Sequence, residues 1–153
     1  MTYTLESLAA EQEALHLPRF DYDIAWRLGC LMQEAARGLP AAITIAHGAD
    51  LVFALLMPGA TIDNLAWAAR KRAVAHRFHR SSLAMRLEAE AHGFDFNARF
   101  ILPPADYIAS GGGLPLMLLG GTLIGSIGVS GLPDVEDHAL AARALRHLRG
   151  ELA

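Results

Sequence analysis

The amino-acid sequence predicts an α+β fold, with a central, mainly antiparallel sheet built from two hairpins and flanked by helices. Two pairs of apolar segments are each joined by a short turn that contains glycine, at Gly48 and at Gly120-Gly121. Such turns join antiparallel neighbours. Elsewhere apolar residues recur at helical spacing, so helices are expected to cover the sheet. The length of 153 residues, 53% of them hydrophobic, suits one domain over 1–153.

Two helices are predicted before the first hairpin. The first covers 4–15 and stops before Pro18, whose ring cannot continue a helix. The second covers 21–37, where apolar residues recur at i, i+4, i+7 and i+11. Gly38 and Pro40 then end it, because glycine favours the left-handed conformation after a helix and proline cannot extend one.

The first hairpin and two further helices follow. Two strands are predicted at 41–47 and 51–57, around a turn that contains glycine and aspartate. Thr61 suits the N-cap of a helix that runs to about Arg80. A second helix is predicted over 82–92, because serine precedes it and glycine follows it.

The C-terminal third is predicted to hold the second hairpin and a last helix. Residues 94–110 suggest a short extended piece and then a turn or helical stub at Pro103-Pro104. The hairpin covers 111–131. The last helix runs from Asp134 to about Gly150, with acidic residues in its first turn and arginines near its end, which suits the helix dipole.

The second strand of the glycine-rich hairpin has two unlike faces. Alternate residues from Leu123 to Val129 form a face that can enter a core, whereas Ser126, Gly128 and Ser130 leave the other face almost free of side chains. Small residues let another group approach the backbone closely. Three occupants of this face stay open: a packed helix, a second subunit or a flat ligand. A phosphate loop does not fit, because the glycines lie in a strand pattern and no Lys-Ser/Thr follows.

Composition restricts the class of protein. A net charge of −3 gives no nucleic-acid-like positive field, so no nucleic-acid partner is expected. Cys30 is alone, and the acidic N-terminal segment lacks the basic start of a signal peptide, so a cytoplasmic location is expected. No membrane span is expected, because Pro115 and the two central glycines divide the long uncharged run into strand-sized halves.

The segment 70–80 is strongly basic, with five Lys/Arg, two His and no acid. Such a helix can bind a small anionic ligand, or its arginines can pair with carboxylates of a neighbouring element or subunit. His76 and His79 are weak metal-ligand candidates, because a third ligand is missing and no metal site is therefore expected. The candidate ligand-binding residues are Arg70, Lys71, Arg77, Arg80, Ser126, Gly128 and Ser130.

Three segments carry a resemblance to a known family. Residues 111–118 (GGGLPLML) and 124–145 (IGSIGVSGLPDVEDHALAARAL) resemble the signature of GlcG/HbpS-like domains, which are often described as haem-binding or haem-degrading. Residues 58–82 (PGATIDNLAWAARKRAVAHRFHRSS) resemble a largely uncharacterised branch of that family. The resemblance implies a profilin-like α+β fold, homo-oligomers and haem as a ligand of some members. It assigns no haem-ligating residue in this chain.

Three functions are compatible with these observations. The first is a homo-oligomeric binding protein, with a groove between the 70–80 helix and the glycine-rich strand. The second is the haem-degrading or redox enzyme that the resemblance implies. The third is a structural adaptor without a small-molecule ligand. No nucleophile elbow, His-Glu-x-x-His motif or cysteine pair of the zinc type occurs, so no catalytic residue is expected and a non-enzymatic role is favoured.

Overall fold

An antiparallel sheet, β2-β1-β4-β3, forms the centre of the protein in a computed structural model that describes residues 2–153. Both predicted hairpins are present, and they join through an antiparallel pair between β1 and β4. The structure therefore confirms the α+β prediction. The strands are β1 (Ala42–His47), β2 (Asp50–Leu56), β3 (Gly113–Met117) and β4 (Leu123–Ser130).

All the helices within residues 2–153 except the last begin at a polar N-cap residue. Asp21 accepts a hydrogen bond from the amide of Ile24, and Ser81 accepts one from the amide of Ala84, which satisfies amides that a helix start leaves free. None of the helices within residues 2–153 has the length and apolar character needed to cross a membrane. The helices are α1 (Leu5–Ala14), α2 (Tyr22–Ala35), α3 (Ile62–Phe78), α4 (Ser82–His92), α5 (Phe96–Phe100) and α6 (Asp134–Leu152).

The short helix α5 corrects the prediction of an extended piece after residue 94. Asp95 caps it by accepting a hydrogen bond from the amide of Ala98. Phe96 and Phe100 pack against Phe78 of α3, with ring centroids 5.6 and 4.8 Å from that of Phe78. The helix depends on this aromatic cluster, because five residues form too few hydrogen bonds to be stable alone.

The two faces of the sheet are covered by different helices. Ile43 and Ile45 of β1, together with Ile127 and Val129 of β4, are fully buried in the core beneath α2 and α6. The helix α3 lies across the opposite face, which carries Ser126, Gly128 and Ser130. The predicted division of β4 into an apolar face and a small-residue face is thus confirmed.

Gly128 is a point of close contact between α3 and the sheet. A Cβ atom at this position would lie 2.2 Å from the carbonyl oxygen of Ala68, which is far inside van der Waals contact. The sequence left open a helix, a second subunit or a ligand at this position, and the structure places a helix there.

A buried ion pair fixes α3 to α6. The Lys71 ammonium lies 2.9 Å from Oδ2 of Asp137 and donates to the carbonyl oxygen of Val129 at 3.1 Å. Oδ1 of Asp137 accepts from the amide of Leu132 at 3.1 Å. Burial raises the pKa of Asp137 to about 6, although the ammonium and the amide both act to lower it.

Candidate functional site

A cleft of about 330 Å³ lies between the C-terminal half of α3, the turn after β1 and Tyr107. Small alanines on α3 leave the space, and Arg72 and His76 reach it from the same helix face because they are four residues apart. This cationic cleft carries no carboxylate on its lining within residues 2–153. It is lined by Ala46, Gly48, Ala49, Ala69, Arg72, Ala73, His76, Arg77, Tyr107 and Ser126.

Arg72 is the unusual residue of the cationic cleft. Its Nη1 atom is buried and has no hydrogen-bond partner within residues 2–153. Burial also lowers the pKa of its guanidinium from the ordinary value. A buried donor without an acceptor is costly, and native proteins keep few of them. This nitrogen therefore lacks an acceptor in a side chain that borders the cleft.

Two of the sequence-predicted binding residues lie in the cationic cleft. The Arg77 guanidinium is 5.7 Å from the centroid of the Tyr107 ring, so the two side chains form one wall. Ser126 is buried on β4 at the base of the cleft. His76, predicted only as a weak metal ligand, also lines the cleft.

Three other predicted basic residues have partners inside the protein. The Arg70 guanidinium lies 4.6 Å from the ring centroid of Trp67. Arg80 pairs with Glu88 at 3.0 Å, which is the alternative that the sequence left open for this helix. Lys71 is only 2% exposed and pairs with Asp137, and it does not line the cationic cleft.

His79 and the two remaining small residues also lie apart from the cleft. His79 ends α3 with a φ of 56°, and its carbonyl oxygen accepts a hydrogen bond from Nε2 of Gln12. Gly128 is covered by α3, and Ser130 lines a different pocket. No group of three or more His, Cys, Asp or Glu side chains in residues 2–153 is placed to hold a metal ion.

Sequence reasoning missed Arg72 as a binding residue. The basic run marks the helix, but five basic side chains lie in it and the helix rotation decides which of them face the sheet. The available signal was the spacing of Arg72 and His76 on one helix face, separate from the face of Arg70 and Arg77.

The fold and the cleft define an α+β domain with an antiparallel sheet, helices on both faces and a cationic cleft between helix and sheet. The chain belongs to the HbpS-like family, because the family model described as "Haem degrading protein HbpS-like" matches residues 20–146. This match confirms the resemblance that the sequence segments indicate.

Known proteins of similar sequence and structure support the assignment. A UPF0303 protein of Streptomyces avermitilis is 42% identical over 144 residues, covering 93% of this chain and 88% of the relative. The crystal structure of the Ybr137w protein matches with a TM-score of 0.87 at 25% identity, over 96% of this chain and 88% of that one. The PduOC:heme complex has the same fold, with a TM-score of 0.70 at 20% identity over 82% of this chain and 92% of that one.

Proposed function

We propose that this chain is a cytoplasmic, homo-oligomeric binding protein whose cationic cleft takes a carboxylate-bearing small molecule, above all a haem-like tetrapyrrole. The carrying observation is the buried, unpartnered Nη1 of Arg72 in a cleft that also holds a second guanidinium and an imidazole. Arginine recognises carboxylates through two parallel hydrogen bonds, so two arginines without a nearby acid favour a dianion.

The donor set of the cleft fits haem. Arg72 and Arg77 would hold the two propionates, and the exposed imidazole of His76 would face the iron. The cleft is open on one side, so a macrocycle larger than 330 Å³ can extend beyond it. Bound haem would supply redox and oxygen chemistry. The family description and the heme complex of PduOC support this ligand class.

Haem titration tests the proposal. The Soret band of haem is expected to shift on addition of the protein, and Arg72→Met is expected to weaken binding about tenfold or more because a charge-assisted hydrogen bond is lost. Arg80→Met is the matched control, since it removes the same charge outside the cleft. Absence of a Soret shift, or equal weakening by both variants, would contradict the proposal.

Arg72→Met is also expected to stabilise the ligand-free protein. The variant keeps an unbranched side chain and removes a buried donor that has no acceptor, so the free energy of unfolding should rise by about 1 kcal/mol. Urea denaturation without ligand measures the change. A loss of stability would mean that the guanidinium has a structural role instead.

A haem-degrading enzyme is the second candidate, favoured by the description of the family. It differs from a binding protein in one measurable way, which is catalytic loss of bound haem when peroxide or a reductant is added.

The homo-oligomer is supported by exposed apolar side chains on α2 and β2, namely Trp26, Leu51 and Leu56, which are 57%, 57% and 41% exposed. Light scattering of the purified protein measures its size.

A further inference from the structure

We propose that a second pocket, on the Ser130 side of the Gly128 contact, binds a small neutral polyhydroxylated molecule. This polar pocket has a volume of about 310 Å³, at the lower end of the range for small-molecule sites. It is separate from the cationic cleft, since Ser126 lines the cleft and Ser130 lines the pocket, with Gly128 between them on β4. Its lining consists of Asn64, Trp67, Lys71, Ser110, Ser130, Gly131, Leu132 and Asp134.

Lys71 lines the polar pocket and carries one spare donor. An ammonium group has three N–H donors, and Lys71 uses two of them, toward Asp137 and the carbonyl oxygen of Val129. The third donor has no acceptor among residues 2–153, although the side chain is only 3% exposed. A buried charged group with a spare donor on a pocket wall favours a ligand oxygen at that point.

Other polar groups extend this hydrogen-bonding surface. Oδ1 of Asn64 accepts from the backbone amide of Thr61 at 2.9 Å, which orients the Nδ2 donors of the same amide group. The hydroxyl groups of Ser110 and Ser130 can each donate and accept. Donors, together with hydroxyl groups that both donate and accept, match a ligand that itself carries several hydroxyl or carbonyl oxygens.

The charges around the polar pocket favour a neutral ligand. Both charged residues of its lining already have a counter-ion, because Lys71 is paired with Asp137 and Asp134 with Arg86, at 2.9 and 2.8 Å. Trp67 adds an apolar wall, and aromatic walls with polar edges suit ring or chain polyols. The two sites therefore differ in chemistry, because the cationic cleft favours dianions.

One face of α3 carries three of the residues that line the polar pocket. Asn64, Trp67 and Lys71 lie at i, i+3 and i+7, which places all three side chains along the same side of the helix. The cationic cleft uses other positions of α3, namely Ala69, Arg72, Ala73, His76 and Arg77. A variant in one site can consequently be tested without touching the other.

Fluorescence of Trp67 tests the proposal directly. The chain has two tryptophans, so Trp26→Phe leaves Trp67 as the sole indole reporter. Erythritol and D-xylose serve as neutral probes and succinate as an anionic probe. Saturable change of Trp67 emission is expected with a neutral probe and not with succinate. Trp67→Phe, which keeps Trp26, is the matched control and should show no saturable change.

Two variants in the Trp26→Phe background locate the binding. Ser130→Ala and Ser110→Ala each remove one hydroxyl, and at least one of them should weaken the neutral probe about tenfold. Arg72→Met should leave the neutral probe unaffected, which separates this site from the proposed function of the cleft. The inference is overturned if neither neutral probe gives a saturable change, if succinate binds equally well, or if both serine variants bind like the parent.

Discussion

Lys71→Met is expected to lower the free energy of unfolding by about 3–5 kcal/mol at neutral to alkaline pH, because it leaves the buried carboxylate of Asp137 without its partner. Both side chains are almost completely buried, and Lys71 is the only cation within 4 Å of Asp137 among residues 2–153. Methionine fills a similar volume, so no cavity forms. The loss comes from the buried negative charge of Asp137, which no longer has a counter-ion.

The loss should depend on pH in a defined direction. The pKa of Asp137 is 3.8 in the unfolded reference and about 6 in the native state. A raised native pKa gives stability that is fully present below 3.8 and is lost as the pH rises through about 6. Without the ammonium the native pKa rises further, so protonated Asp137 tolerates its burial at low pH. Lys71→Met should therefore cost least near about pH 5 and most near about pH 8.

Urea denaturation at these two pH values measures both effects. Lys71→Met combined with Asp137→Leu is the matched variant, since it removes both charges and should recover most of the stability at high pH. Arg80→Met breaks a partly exposed pair and should cost no more than about 1 kcal/mol at either pH. A cost of Lys71→Met that is independent of pH, or that the second substitution does not relieve, would contradict this account.

Local sequence pattern predicted most of the fold and only part of the site. Both hairpins and the long helices follow from signals within a few residues, such as glycine turns, caps and apolar spacing. The helix α5 could not be predicted in this way, because Phe96 and Phe100 are helical only in contact with Phe78. Its stability comes from tertiary contacts, which a pattern of neighbouring residues does not contain.

Dependence on tertiary contacts also explains why the binding residues were predicted only in part. The basic run left open whether the helix binds an anion or pairs with neighbouring carboxylates. The rotation of α3 depends on its contact with Gly128 and on the pairing of Lys71 with Asp137. Both contacts are made with residues far along the chain. That rotation places Arg72 in the cationic cleft and gives Lys71 an interior partner. The spacing within 70–80 groups the basic residues by helix face but does not say which face meets the sheet.

Gly128→Ala is expected to lower the free energy of unfolding by about 3 kcal/mol, at the upper end for overpacking. The added methyl would lie 2.2 Å from the carbonyl oxygen of Ala68 and 3.0 Å from Oγ1 of Thr44. A flexible side chain could move away from such a contact, but the nearest atom belongs to the α3 backbone. The whole helix must therefore shift away from β4.

Gly150→Ala is the matched control for this substitution. Gly150 lies in α6, is exposed, and has no atom within 4 Å of an added Cβ. Alanine stabilises helix interiors relative to glycine, so this variant should gain about 0.5–1 kcal/mol. Urea denaturation of both variants gives the comparison. Equal effects of the two substitutions would show that α3 does not depend on close contact at Gly128.

The contact of α3 with Gly128 also links the stability of the protein to both proposed sites. Arg72 and Lys71 leave the same helix, within four residues of Ala68, and each reaches its site because the helix lies directly on the strand. Gly128→Ala is consequently expected to weaken haem binding and the Trp67 response together, although it changes no residue that meets a ligand. Folded Gly128→Ala protein that keeps both responses would place the cleft and the polar pocket on a surface independent of this contact.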